Sequence, residues 1–155
     1  MRPTVPTEIL VRPAVAGDEA VWRDLWAGYC AFYRVTVAPE VTTFTWARIC
    51  DPQRPVHALM AEQAGTVMGM AIYILHDNTW NLTPCCYLED LYVRPEARGL
   101  GIGNHLIAWL QDAMAREGWC RLYWHTESTN DTARRLYDRF TPTDGFVRYV
   151  LKPET

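Results

Sequence analysis

The stretch Tyr87-Leu-Glu-Asp-Leu-Tyr-Val-Arg-Pro-Glu-Ala-Arg-Gly-Leu-Gly-Ile-Gly103 decides how the rest of the chain is read. Its first half predicts a strand over residues 86–93, and its second half a glycine-rich turn opening a helix over about 101–117. In that helix Ile102, Leu106, Leu110 and Met114 form a core-facing stripe, and Gly118 stands where a helix stops. Gly99, Gly101 and Gly103 strip side chains from the turn, so the amides of Gly99, Leu100, Gly101, Ile102, Gly103 and Asn104 are free to converge on an anion. The helix N-terminus adds roughly half a positive charge. The pattern predicts a pyrophosphate cradle.

What the loop lacks narrows its ligand. A Walker A loop requires Gly-Lys-Ser/Thr, and here the stretch reads Gly-Ile-Gly-Asn. A dinucleotide fingerprint requires GxGxxG and an acid after the next strand, whereas this loop is GxGxG and the next strand ends at Thr126. Both nucleotide readings fail.

Working outward, residues 8–15 alternate as a first strand, and Asp18 is placed to cap a helix running to about Tyr33. Trp22, Trp26, Tyr29 and Tyr33 recur along it at helical spacing, as a core stripe or as rings presented to a cationic amine. Residues 39–49 predict a second helix. Residues 56–62 and 66–76 predict a hairpin around Gln63-Ala64-Gly65. Beyond the central helix come a strand over 121–126, a helix over 130–140 and a closing strand over 145–151. The order β-α-α-β-β-β-α-β-α-β predicts a single α/β (α+β) domain over 1–155, a mixed central sheet flanked by helices.

Composition excludes several classes. A net charge of −3 in 155 residues gives no basic surface for nucleic acid. Cys30, Cys50, Cys85, Cys86 and Cys120 are odd in number, and His57, His76, His105 and His125 are dispersed, so neither a disulfide framework nor a metal site is expected. Residues 1–7 carry no apolar leader region, and no apolar run approaches the roughly 20 residues of a membrane span. A cytoplasmic enzyme with reduced cysteines, no membrane contact and buried, non-nucleophilic thiols is the expectation.

Arg98-Gly-Leu-Gly-Ile-Gly103 resembles the R/Q-x-x-G-x-G/A loop of the GNAT superfamily of N-acetyltransferases. The strand before it and the stretch 124–137, with Asn130 seven residues ahead of Tyr137, also resemble that family's central strand and later strand and helix. The resemblance covers residues 56–146, the N-terminal helices matching in order and length only. It implies acetyl-CoA as co-substrate in a core of about 84–141, held by the loop 98–104, the backbone of Leu91, Tyr92 and Val93, and Asn130. Asn130 also reads as a helix N-cap. Arg98 would support the cradle; Arg134 and Arg135 read either as a solvated helix face or as reaching a CoA phosphate.

Acetyl transfer requires a neutral amine. A lysine-like amine is neutral in roughly one molecule in 2,500 at pH 7, a handicap of roughly 4–5 kcal/mol. Tyr87-Leu-Glu-Asp90 resembles the spermidine/spermine N-acetyltransferases, whose matching glutamate is the base, which points to Glu89. Asp90 lies on the opposite face of a regular strand, a parity that a bulge alters. Tyr137 matches the family residue that donates to the departing thiolate, and reads equally as a core aromatic. The ending of the chain instead resembles microbial members that act on small basic molecules or protein lysines. The resemblance therefore implies a small amine (polyamine-like, amino acid or aminoglycoside), a protein N-terminus or a lysine-containing peptide as acceptor. It also implies a homodimer, with strand 145–151 as an exposed edge. The rival reading is a non-catalytic acyl-CoA-binding sensor on the same fold.

Overall fold

Strands β3 (Thr66–His76) and β4 (Cys85–Val93) pair antiparallel at the heart of the computed structural model, which describes residues 8–155. Residues 1–7, expected to lack a leader, lie outside the described residues. Strands β1 (Ile9–Pro13) and β2 (Val56–Gln63) extend the sheet antiparallel on the β3 side. Strand β5 (Arg121–Tyr123) adds in parallel on the β4 side, giving a mixed five-stranded sheet in the order β1-β2-β3-β4-β5. The chain divides into two compact units, Met1–His125 and Thr126–Thr155.

In the first unit, helices α1 (Glu19–Phe32) and α2 (Pro39–Cys50) bury Trp22, Leu25 and Trp46 against Met60, Met70 and Ile72 of the sheet. The aromatic stripe of α1 is a stack. Ring centroids lie 5.6 Å apart from Trp22 to Trp26, 5.4 Å from Trp26 to Tyr29 and 4.8 Å from Tyr29 to Tyr33. It grades from a fully buried Trp22 to a Tyr33 that is 43% exposed, so one end is core and the other reaches solvent. Helix α3 (Ile102–Glu117) covers the other face, burying Ile102, Leu106, Ile107 and Leu110, with Trp109 beside Tyr73 of β3. Gly118, in the left-handed conformation, ends it as expected.

Asp18 stands at the N-cap position of α1 but does not cap it with its side chain. Its carboxylate instead accepts two hydrogen bonds from the Arg12 guanidinium, at 2.7 and 2.9 Å, and one from the Val15 amide at 2.8 Å. A bidentate pair with a charged guanidinium outcompetes a capping bond to a single neutral amide. It ties β1 to the start of α1, and Arg12 reaches Glu62 of β2 as well.

Helix α4 (Asp131–Tyr137) lies in the second unit and is shorter than the expected 130–140: Asn130 is its cap rather than its first turn, and residues 138–140 form a turn instead of continuing it. The expected closing strand over 145–151 is not formed. The run Gly145-Phe-Val-Arg-Tyr-Val-Leu151 has strand composition, but a strand exists only as one side of a hydrogen-bonded ladder, and no residue from 141 to 155 enters one. Among the described residues the order is therefore β-α-α-β-β-β-α-β-α. No helix among them is long and apolar enough to cross a membrane.

The N-terminus of α3 meets the sheet at Gly69. A Cβ there would lie 2.9 Å from Ile102 Cγ2 and 3.0 Å from the Tyr92 carbonyl oxygen. Gly69→Ala is therefore expected to destabilise the fold by about 1–3 kcal/mol. Calorimetry should show this as a melting point lowered by roughly 2–12 °C.

Candidate active site

The register of β4 against β3 slips by one residue within the Tyr-Leu-Glu-Asp motif. Ile72 pairs with Asp90 while its neighbour Tyr73 pairs with Leu88, which leaves Glu89 as the extra residue of a β-bulge. Directly opposed residues share a sheet face. Leu88 therefore lies with Tyr73 on the α3 face, and Asp90 with Ile72 on the α1 face. In a regular strand these two positions would share one face. The bulge thus turns Asp90 towards α1, where it is 9% exposed and stands within reach of the Tyr29 hydroxyl, while Glu89 is exposed to solvent.

The two carboxylates have different environments. Burial raises the Asp90 carboxyl to about 6, with the charge of Glu89 adding to the rise and the Tyr29 hydroxyl opposing it. The Tyr29 hydroxyl is in turn held well above its ordinary value by burial and then by the nearby carboxylates. The charge of Glu89 also reaches Tyr123 of β5. Glu89 and Asp90 therefore form a local negative site bounded by a tyrosine of α1 and a tyrosine of β5.

Next to it, β4 has an unpaired edge. Strand β5 pairs with β4 only at Cys85, Cys86 and Tyr87, so from Leu88 onward the β4 edge facing away from β3 has no strand partner among the described residues. Leu91, Tyr92 and Val93 lie along that edge, and β3 holds their other side. The Tyr92 side chain is not available to a ligand. It packs under α1, where a Cβ on Gly28 would strike its hydroxyl, and it meets Tyr29 edge-on at 6.5 Å.

The glycine loop follows directly. Gly99 and Gly101 adopt positive φ of 81° and 89°, a conformation that favours glycine, and nothing stands within 4 Å of where a Gly99 Cβ would be. Among the described residues, none of the amides from Gly99 to Asn104 donates to a protein acceptor. Ile102 buries its side chain and contributes only its amide; Leu100 is exposed. A row of free amides at a helix start, with open space before Gly99, suits an anion such as a pyrophosphate.

Arg98 is anchored to the strand and to α1. Its guanidinium stacks over Phe32 at 5.0 Å and Tyr92 at 5.8 Å, and its Nε donates to the Val93 carbonyl at 3.1 Å. Cation–π contact and a strong acceptor draw it back to α1, so it braces the loop instead of lining it. His105, which the pattern did not single out, places Nδ1 2.7 Å from the Gly101 carbonyl.

In the second unit Asn130 caps α4, its Oδ1 accepting from the Ala133 amide at 3.2 Å, and Tyr137 is the last residue of that helix. Arg134 donates to the Ser128 carbonyl and Arg135 to Thr132, so both are engaged locally. Cys85 and Cys86 are buried, and Cys120 is half-buried with its Sγ 3.4 Å from that of Cys85. No cluster of three or more His, Cys, Asp or Glu suited to a metal occurs among the described residues.

The Asp90 environment has a measurable consequence. A carboxyl raised from 3.8 to about 6 binds its proton more tightly in the folded state. Stability therefore falls as pH rises between those values, by up to about 3 kcal/mol. The groups facing it are Tyr29 and Cys30 of α1 and its neighbour Glu89. Asp90→Asn is expected to melt higher than the parent protein at pH 7.5, with the difference vanishing below about pH 4. Equal melting points at both pH values would show that the carboxylate is not penalised.

Comparison with known proteins agrees with this geometry. The acetyltransferase (GNAT) family profile matches residues 19–141, from α1 through the last helix. The chain is 33% identical over 137 residues to the D-amino-acid N-acetyltransferase of Saccharomyces cerevisiae, covering 87% of this chain and 85% of that one. It is 34% identical over 89 residues to the thialysine N-epsilon-acetyltransferase of Bos taurus, covering 52% of each. An aminoglycoside acetyltransferase from an uncultured soil metagenomic sample, solved with sisomicin, shares the fold at a TM-score of 0.80 and 14% identity over 94% of this chain and 97% of that one. The bulged carboxylate strand, its open edge and the glycine loop thus sit within a matched family, and the chain belongs to the acetyltransferase (GNAT) family as an acyltransferase.

Proposed function

We propose that this protein moves the acetyl group of acetyl-CoA directly to the primary amine of a small basic molecule or a lysine side chain, with 1–155 acting as one catalytic domain. The observation that carries the reading is the bulge at Glu89, which leaves one solvated carboxylate beside a β4 edge that runs straight into the amide cradle. The amides of 99–104 bind the pyrophosphate, and the exposed edge at Leu91–Val93 offers backbone groups to the pantetheine and the acetyl carbonyl. Polarising that carbonyl in place and holding the amine against it lower the barrier without a covalent enzyme intermediate.

Glu89 takes the proton of the amine. The neutral nitrogen attacks the thioester carbonyl, a C–N bond forms, the C–S bond breaks, and the thiolate takes up a proton. The nitrogen gives up its second proton to restore the donor, so the net proton released is the one on Glu89. Tyr137 is the proposed donor to the thiolate and Asn130 a proposed pantetheine contact, both on resemblance to the family pattern. The small-amine assignment draws on the relatives named for D-amino acids and thialysine, and on the local negative charge of Glu89 and Asp90. A sensor that only bound acyl-CoA would have no use for a carboxylate at this place.

Two substitutions separate chemistry from cofactor binding. Glu89→Gln should lower kcat about 10²–10⁴-fold at neutral pH, the range for losing a general base. That deficit should shrink towards pH 10 as the amine sheds its own proton, while acetyl-CoA still raises the melting point as it does for the parent. Gly101→Asp should abolish the acetyl-CoA thermal shift by putting charge and strain into the cradle. Undiminished turnover in Glu89→Gln would remove that residue from the mechanism.

A further inference from the structure

Tyr29 stands in the middle of the α1 stack, and the fold holds it firmly. Its ring is stacked on Trp26 at 5.4 Å with planes 15° apart, packed against Tyr33 at 4.8 Å and edge-on to Tyr92 at 6.5 Å. A ring fixed by three aromatic neighbours fixes the position of its hydroxyl. A tyrosine hydroxyl has one proton to donate and two lone pairs to offer. Here the bulge has turned Asp90 towards α1 and this hydroxyl, and a carboxylate can only accept, so the tyrosine's proton is the one that points to it.

The consequence is a hydroxyl of fixed polarity. With its proton pointing to Asp90, the Tyr29 oxygen can act towards any other group only as a hydrogen-bond acceptor, and it lies in the field of both Asp90 and Glu89. Such an oxygen matches a cationic or neutral N–H and mismatches a carbonyl or carboxylate oxygen.

We propose that Tyr29, oriented by Asp90, is a substrate-binding residue that reads an N–H of the incoming amine, with Asp90 as its positioning residue. This rests on the acetyl-transfer reading above, and it moves part of amine recognition from Glu89 to α1. Asp90 need not touch the amine: it decides which way the tyrosine's proton points. An amide at position 90 could donate to the Tyr29 oxygen and let the hydroxyl proton turn outward, so Asp90→Asn would invert the polarity without removing the ring.

The test is steady-state kinetics of parent, Tyr29→Phe, Asp90→Asn and the double variant, using whichever of spermidine, D-lysine, thialysine or a lysine-containing peptide the parent acetylates best. Tyr29→Phe keeps the aromatic stack and should raise the KM of the amine about tenfold or more, the loss expected for a hydrogen bond to a charged group. The KM of acetyl-CoA should stay within about twofold. Asp90→Asn should raise the amine KM similarly, and the double variant should be no worse than the poorer single one, as for two residues acting as a unit. A Tyr29→Phe variant with an unchanged amine KM, or additive losses in the double variant, would overturn the inference alone. A parent protein that transfers acetyl to none of the amines would overturn the proposed function and this inference with it.

Discussion

One extra residue in β4 sets where the two neighbouring carboxylates of this molecule stand. Where Glu89 fails to find a partner on β3, the strand changes parity, and two neighbouring carboxylates are sent to different environments. One is solvated; the other is buried beneath α1 against a tyrosine. A carboxylate in such a place is a cost to the fold, since burial disfavours the charged form. A fold that carries one beside an exposed acid and an unpaired strand edge concentrates negative charge where a cationic amine would be met. Remove the bulge and Asp90 would turn to the α3 face, into the layer that holds Tyr73 and Trp109.

The same strand leads from this charge to the glycine loop, and α1 is fastened to both ends of the turn between them. Arg94 forms a 2.8 Å ion pair with Asp24, and Arg98 stacks on Phe32 two helical turns further on. The exposed ion pair contributes little to stability by itself. As a pair of fixed points, however, the two arginines hold the helix that carries Tyr29 in register with the loop that carries the free amides. The Gly69 contact sets the start of α3 against the same segment from the other face. Acid site, strand edge and cradle are thus positioned from both faces of the sheet.

Much of this was legible beforehand, for identifiable reasons. The glycine turn could be read because glycine at 99 and 101 is a backbone requirement, written one residue at a time. The helices could be read from periodicity, and the aromatic stripe of α1 lies along one helix face as its spacing implied. Residue spacing cannot reveal a register slip, because a bulge is a relation between two strands. The pairing of Asp90 with Tyr29 was therefore hidden even though both residues were in view. The Arg98 partner was hidden for a similar reason: Phe32 lies far away in the chain, and spacing around the loop does not point to it. The segment 145–151 reads as a strand by composition, yet composition supplies no ladder partner.

The central claim is that these parts together move an acetyl group onto an amine. The most direct test is mass spectrometry of the amine product alongside thiol release, with acetyl-CoA supplied to the full chain in the presence and absence of each amine. The account predicts one acetylated amine for every thiol released, and no release when the amine is omitted. Thiol release without an acetylated amine, or tight acetyl-CoA binding with neither product across all amines, would contradict it.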